Sequence, residues 1–149
     1  MNAGPPSLDQ LKGLIAGGDV RGALALLNAA TGHRFTALYR FDRETLRNMY
    51  FYDREHPDTE TADAIPVLAS YCVYVRESNA AFETTHARED GRVAGHPKRE
   101  MLQAYCGVPL LGEDGKSFGS LCHFDFDPRV ISAENLALME AFAGLFHRQ

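Results

Sequence analysis

The sequence predicts an α+β domain in which helices pack against an antiparallel sheet. Three observations carry this reading. Two short amphipathic stretches open the chain, apolar runs joined by turn residues fill its middle, and an apolar helix pattern follows Pro128. The element order is therefore two helices, a hairpin, a mixed segment, a second hairpin and a last helix.

Taken in order, residues 1–6 read as a flexible start. Ser7 caps a helix over 8–16 with Leu11, Leu14 and Ile15 on one side, and Gly17-Gly18 stops it. Asp19 caps a second helix reaching about residue 31, carrying Leu24, Leu26 and Leu27, and Gly32 ends it. Together these are the N-terminal helices, 7–31. The sheet core spans 34–126. Its first pair is 34–41 and 45–52, joined by the turn Asp42-Arg43-Glu44. The charged stretch 53–63 holds Pro57 and reads as a loop, and 64–69 reads as a short helix with Pro66 in its first turn. The aromatic run 71–75 reads as a strand ending in a turn at 77–79, and 81–87 as another. Residues 88–98 are polar, contain Gly91, Gly95 and Pro97, and read as a lid-like loop, followed by a helical turn over 99–103.

Residues 104–126 predict a long hairpin around Gly112-Glu113-Asp114-Gly115. A two-residue loop pairs Glu113 with Lys116; a three-residue loop pairs Gly112 with Lys116. The apolar pattern favours the second, because a one-residue slip exchanges the faces of a strand. That register puts Ala104, Cys106, Val108 and Leu110 on one face with Phe118, Ser120, Cys122 and Phe124, under helices. Tyr105, Gly107, Pro109, Leu121, His123 and Asp125 then form a mixed second face suited to a ligand. Ser132 caps the last helix, 132–147, with a stripe of Leu136, Met139, Phe142, Ala143 and Phe146, while Leu138 and Leu145 lie elsewhere. Either a second chain or the N-terminal helix covers that other side.

Composition narrows the function classes. The 149 residues suit one domain with a real core, and 45% hydrophobic with 23% charged residues is ordinary for a soluble globular protein. A net charge of −5 without a Lys/Arg block argues against nucleic acid. No apolar run approaches the roughly 20 residues of a membrane span, and the N-terminus lacks a basic start and an apolar segment, so neither membrane nor secretion is expected. Three dispersed cysteines form no disulfide framework, which fits a reducing cytoplasm.

Tyr105, Gly107-Val108-Pro109-Leu110, Gly119, Leu121-Cys122, Asp125 and Pro128-Arg129 stand in an order that resembles the GAF domain family. Upstream, Ser70-Tyr71-Cys72, Ala81-Phe82 and Thr85-His86-Ala87 sit where that family often has a Ser-x-Cys strand and a strand ending in Asp-Ala, with His86 in place of the Asp. The resemblance covers about residues 20–147. It implies a GAF/PAS-like six-stranded antiparallel sheet, N- and C-terminal helices packed on one face, a ligand pocket on the other, and a homodimer through the terminal helices. The family takes cyclic nucleotides, bilins, haem, amino acids and other small effectors, so the resemblance implies an unidentified small-molecule ligand and leaves the cofactor unknown. With no kinase, cyclase or DNA-binding segment in the sequence, a separate output protein is expected.

The candidate ligand-binding residues are Tyr71, Tyr74, His86, Arg88, Arg92, Tyr105, Gly107, Leu121, His123 and Asp125. The tyrosines offer walls with a hydroxyl that wants a partner. Arg88 and Arg92, with Lys98 and Arg99, offer a clamp for an anion, against the alternative of a solvated loop balanced by Glu89, Asp90 and Glu100. His86, His96 and His123 have no compact zinc spacing, so no metal is expected. The resemblance also implies an alternative, since one GAF lineage reduces free methionine sulfoxide with cysteines. In the preferred register Cys106 and Cys122 face each other under helices, where a thiol is a small hydrophobe, and Cys72 stands alone. The reading is a small-molecule sensor without catalytic residues; a thiol reductase and a ligand-free interaction module are the alternatives.

Overall fold

The computed structural model describes residues 5–146. The expected flexible start thus lies mostly outside the described residues, as does the expected end of the last helix at residue 147. Helix α1 (Leu8–Ala16) begins with a reciprocal capping box between Ser7 and Gln10, and α2 (Val20–Ala29) begins where the Asp19 carboxylate accepts the Gly22 N–H. Six strands follow: β1 (Phe35–Asp42), β2 (Thr45–Asp53), β3 (Ile65–Pro66), β4 (Phe82–Thr84), β5 (Ala104–Leu111) and β6 (Ser117–Asp125). They form one antiparallel sheet in the order β3-β2-β1-β6-β5-β4. Helix α3 (Cys72–Ser78) lies on one face of this sheet, whereas α1, α2 and α4 (Ala133–Ala143) cover the other.

The decisive detail is a β-bulge. The three-residue turn forms as expected, with the Gly112 N–H bonded to the Lys116 carbonyl at 2.9 Å and Leu111 opposite Ser117. Leu110 then pairs with Gly119, so Phe118 is the extra residue. Gly119 permits this because a β-carbon there would run into the Tyr39 carbonyl oxygen of β1. Beyond the bulge every β6 side chain is exchanged between faces relative to the sequence expectation. Leu121, His123 and Asp125 go under the helices beside Cys106, Val108 and Leu110, while Ser120, Cys122 and Phe124 join Tyr105 on the opposite face.

Four segments differ from their sequence reading. Residues 72–75 belong to helix α3, with Tyr71 as its N-cap, and not to a strand. Their aromatic and β-branched content suggests a strand, but Tyr71, Cys72 and Val75 are all fully buried at helical spacing, and packing overrides propensity. Asn79 in the left-handed conformation (φ 52°) ends α3. The expected helix at 64–69 is the edge strand β3, where Pro66 needs no ladder donor, followed by a 3₁₀ turn, Val67–Ala69. The strand expected over 81–87 stops after Thr84. The lid-like loop is instead anchored: two 3₁₀ turns, Ala87–Glu89 and Gly91–Val93, fully bury Ala87 and Val93.

On α4 the stripe of Met139, Phe142 and Ala143 is buried in the core, and Leu138 and Leu145 pack at the margin of the same cluster with Leu11, Leu14 and Ile15 of α1. The N-terminal helix therefore provides cover within the same chain for part of the side that a partner was invoked to bury.

Candidate functional site

The face opposite the three outer helices encloses a cavity of about 500 Å³, within the range of small-molecule sites. Strand alternation builds its floor. Phe35 and Tyr39 on β1 project to this face, as do Phe51 on β2, Tyr105 on β5, and Cys122 and Phe124 on β6. Phe35 stacks on Phe124 with ring centroids 4.8 Å apart, and Phe126 meets Phe35 edge-on at 5.4 Å. The Arg34 guanidinium lies 4.7 Å from the Phe35 ring centre and is held by both Asp53 oxygens at 2.9 and 3.0 Å. The roof comes from Tyr71 and from Lys98, Met101 and Leu102 of the turn before β5. The Tyr71 hydroxyl donates to the Leu102 carbonyl at 2.9 Å, so α3 and this turn are tied together over the cavity.

Beneath one wall lies a nest of hydroxyls and thiols. Tyr105 donates to Cys72 Sγ at 3.1 Å, and Ser120 Oγ shares a hydrogen bond with the same sulfur at 3.1 Å. Burial opposes ionisation of Cys72. The polar groups around its sulfur, Cys122, Ser120, Ser70 and Tyr105, outweigh it and hold this thiol below the ordinary range, whereas burial and the neighbouring Cys72 push Cys122 well up. Cys72 thus sits in a polar nest with Cys122 as its neighbour. It does not stand alone, and Cys122 does not face Cys106. Cys106 pairs with His123 in the ladder and lies 3.9 Å from Met139 Sδ on the helix side, its thiol pushed by burial up to about 12. All three cysteines are reduced and buried.

Of the ten residues singled out by sequence, Tyr71 and Tyr105 line the cavity. Tyr74 stands behind it, stacked on Phe82 at 4.6 Å. Gly107 makes no wall: a β-carbon there would collide with the Tyr105 ring, so its role is to let that ring lie flat along β5. His86 and Arg92 line a separate polar cleft with Glu83, Glu89 and Asp90, where His86 is 3.2 Å from Glu89. Arg92 grips Asp90 at 2.7 Å, holding that carboxyl well below the usual range. Arg88 bonds the Glu100 side chain and carbonyl at 3.1 and 2.9 Å.

Leu121, His123 and Asp125 are removed from the cavity altogether by the bulge. His123 and His33 stack at 5.7 Å beneath the helices. Thr36 bonds His123 at 2.6 Å, and Thr31 bonds His33 at 2.7 Å. Burial lowers both imidazoles, His33 to about 4. Asp125 accepts the Arg34 N–H and the Arg129 side chain, each at 3.0 Å. His86, His96 and His123 therefore do not converge, and no group of three or more His, Cys, Asp or Glu able to hold a metal occurs among the described residues. Sequence reasoning missed Phe35, Tyr39, Phe51, Phe124 and Cys122. The alternation Phe35-Ala37-Tyr39 was a readable signal for the first two; the β6 pair was hidden by the bulge.

A six-stranded antiparallel sheet with terminal helices on one face and a cavity on the other has close counterparts among solved structures. The GAF domain of an Acinetobacter phosphoenolpyruvate-protein phosphotransferase superposes with a TM-score of 0.70 at 15% identity, covering 92% of this chain and 87% of that one. The fold is that of a GAF domain. The same GAF architecture is shared by the free methionine-R-sulfoxide reductase of Neisseria meningitidis, solved with its substrate (TM-score 0.71, 15% identity, 96% and 90% coverage). In sequence, 84 residues (54% of the chain) are 36% identical to a cyclic di-GMP phosphodiesterase of Pseudomonas aeruginosa, of which the match spans only 14%. No family model matches the chain. Among the described residues no helix is long and apolar enough to cross a membrane.

Proposed function

We propose that this GAF-fold domain binds a small, largely apolar molecule without transforming it and serves as a sensory module. The observation that carries the reading is the aromatic cavity of about 500 Å³ between the sheet and the α3–turn roof. An occupant there would touch both Tyr71, the N-cap of α3, and the turn at 98–102, two roof elements joined by one hydrogen bond. Signalling would follow if the occupant favours one arrangement of that roof over another; tight binding to both alike would shift nothing. A cytoplasmic homodimer through the terminal helices, acting on a separate output protein, belongs to the same proposal. Light scattering on the purified chain tests the dimer.

Native mass spectrometry of protein purified without added ligand is the direct test, followed by a thermal-shift screen of small molecules. Binding that disappears in Ala69→Phe, which fills the cavity, supports the reading. A full screen in which parent and variant respond alike would sink it.

One observation favours a second reading, a thiol reductase: Cys122 forms part of the cavity wall and Cys72 lies beside it. Two such thiols could reduce a sulfoxide, its oxygen leaving as water with two protons while a Cys72–Cys122 disulfide forms and is later reduced by a dithiol donor. NADPH consumption through thioredoxin with free methionine sulfoxide, abolished by Cys72→Ser and by Cys122→Ser, would establish it. No turnover above the cysteine variants rules it out.

A further inference from the structure

The charged groups around the cavity are unequal, and their inequality bears on the chemistry of the ligand; this inference rests on the small-molecule reading above. Four cations follow one another in residues 88–99. Three are engaged by the protein: Arg88 with Glu100, Arg92 with Asp90, and Arg99 with the carbonyls of Ala87 and Arg88 at 3.0 and 2.9 Å. Lys98 differs. Its backbone N–H bonds His96 Nδ1 at 3.0 Å, but its ammonium has no hydrogen bond or ion pair with any described residue, and its half-buried side chain lines the cavity. A cation at the cavity wall with no partner in the protein is free to take one from a bound molecule.

Asp63 also lines the cavity, but it is exposed and enters from the opposite edge of the sheet, just before β3, where solvent satisfies it. Lys98 belongs to the other side. The segment that carries it is pinned by the Gln103 N–H to the Asp125 carbonyl at 3.1 Å, next to the aromatic end formed by Phe35, Phe124 and Phe126. Four residues from Phe35 along β1, roughly 13 Å at the rise of a strand, Tyr39 lines the same cavity. Its side chain is nearly buried, and its hydroxyl forms no hydrogen bond among the described residues.

The geometry points to a compact aromatic carboxylate as the occupant, its ring against Phe35 and Phe124, its carboxylate on Lys98, and room for a further polar group at Tyr39. The aromatic cluster packs against the ring, and the lysine selects for negative charge.

Titration calorimetry with hydrocinnamate, its amide and phenylpropylamine tests this on the full chain and on Lys98→Met. The acid is expected to bind at least about tenfold more tightly than the amide or the amine, the scale of one hydrogen-bonded charge pair. Lys98→Met should abolish that advantage and leave the amide unchanged. An amide or amine that binds as well as the acid, or a Lys98→Met protein that keeps the acid's affinity, overturns the carboxylate assignment while the cavity remains a binding site. If none of the three binds and Ala69→Phe changes nothing in the wider screen, the assignment and the small-molecule reading fall together.

Discussion

The two faces of β6 carry buried polar clusters one residue apart, and they are built for different ends. On the helix side, Asn28 bonds Thr36, Thr36 bonds His123, His33 stacks on His123, and Asp125 accepts from the Arg34 N–H and the Arg129 side chain, with core side chains packed around them. On the other side, Cys72, Ser120, Tyr105 and Cys122 form an equally buried nest, but it borders open space. The first cluster locks α2 and the loop before β1 onto the sheet. The second leaves a wall with reactive and hydrogen-bonding groups next to a cavity. The difference teaches that burial alone does not mark a site here; burial beside unfilled volume does.

The contrast can be broken most strongly on the packed side. Leu121→Ala, in the fully buried core under the helices, is expected to cost about 4 kcal/mol in urea denaturation. Phe124→Ala, at the cavity, should cost markedly less because part of its surface already faces open space. Equal losses would show that the two faces are packed alike.

Acid tests the histidine cluster next. Folded His33 stays neutral down to about 4, whereas the unfolded side chain takes a proton near its ordinary value of 6.5. The unfolded state therefore binds more protons across that window, so the stability contributed by burying neutral imidazole is complete above it and is lost as pH falls from 6.5 towards 4. The loss is about 3 kcal/mol at one pH unit per 1.36 kcal/mol. Denaturation midpoints followed across this range in the parent and in His33→Gln check it; an unchanged slope in the variant would remove His33 as the cause.

Asp125→Asn keeps the shape but removes the charge that accepts from Arg34 and Arg129, and should cost about 2 kcal/mol by the same assay without touching ligand binding. At the small end, Ala69→Phe on the cavity side should change stability by under about 1 kcal/mol, since it fills space that is already empty. Its effect should fall on binding. A large loss of stability there would mean that the cavity wall is as tightly packed as the helix side.

Much of the fold was legible from the chain alone because its signals are local. Ser7, Asp19 and Ser132 accept N–H groups at the starts of α1, α2 and α4, and the turn closed by Gly112 and Lys116 has the expected length. Tyr71 and Tyr105 were legible as cavity walls for the same reason: each is an aromatic with a hydroxyl, in a run bounded by turns. Helix α3 was not, because a seven-residue helix with two valines and a tyrosine in its first turn owes its form to what it packs on.

The face to which Leu121, Cys122, His123 and Asp125 belong was decided only by the tertiary structure. Alternation within a strand says which residues share a side but not which side it is. That choice turned on one extra residue, Phe118, placed where Gly119 lets β6 approach the Tyr39 carbonyl of β1, about eighty residues earlier in the chain. Helix caps and turns are contacts between near neighbours and can be read from the sequence. A strand register set by a contact between distant segments cannot, and it was this register that put Cys122 rather than His123 into the wall of the cavity.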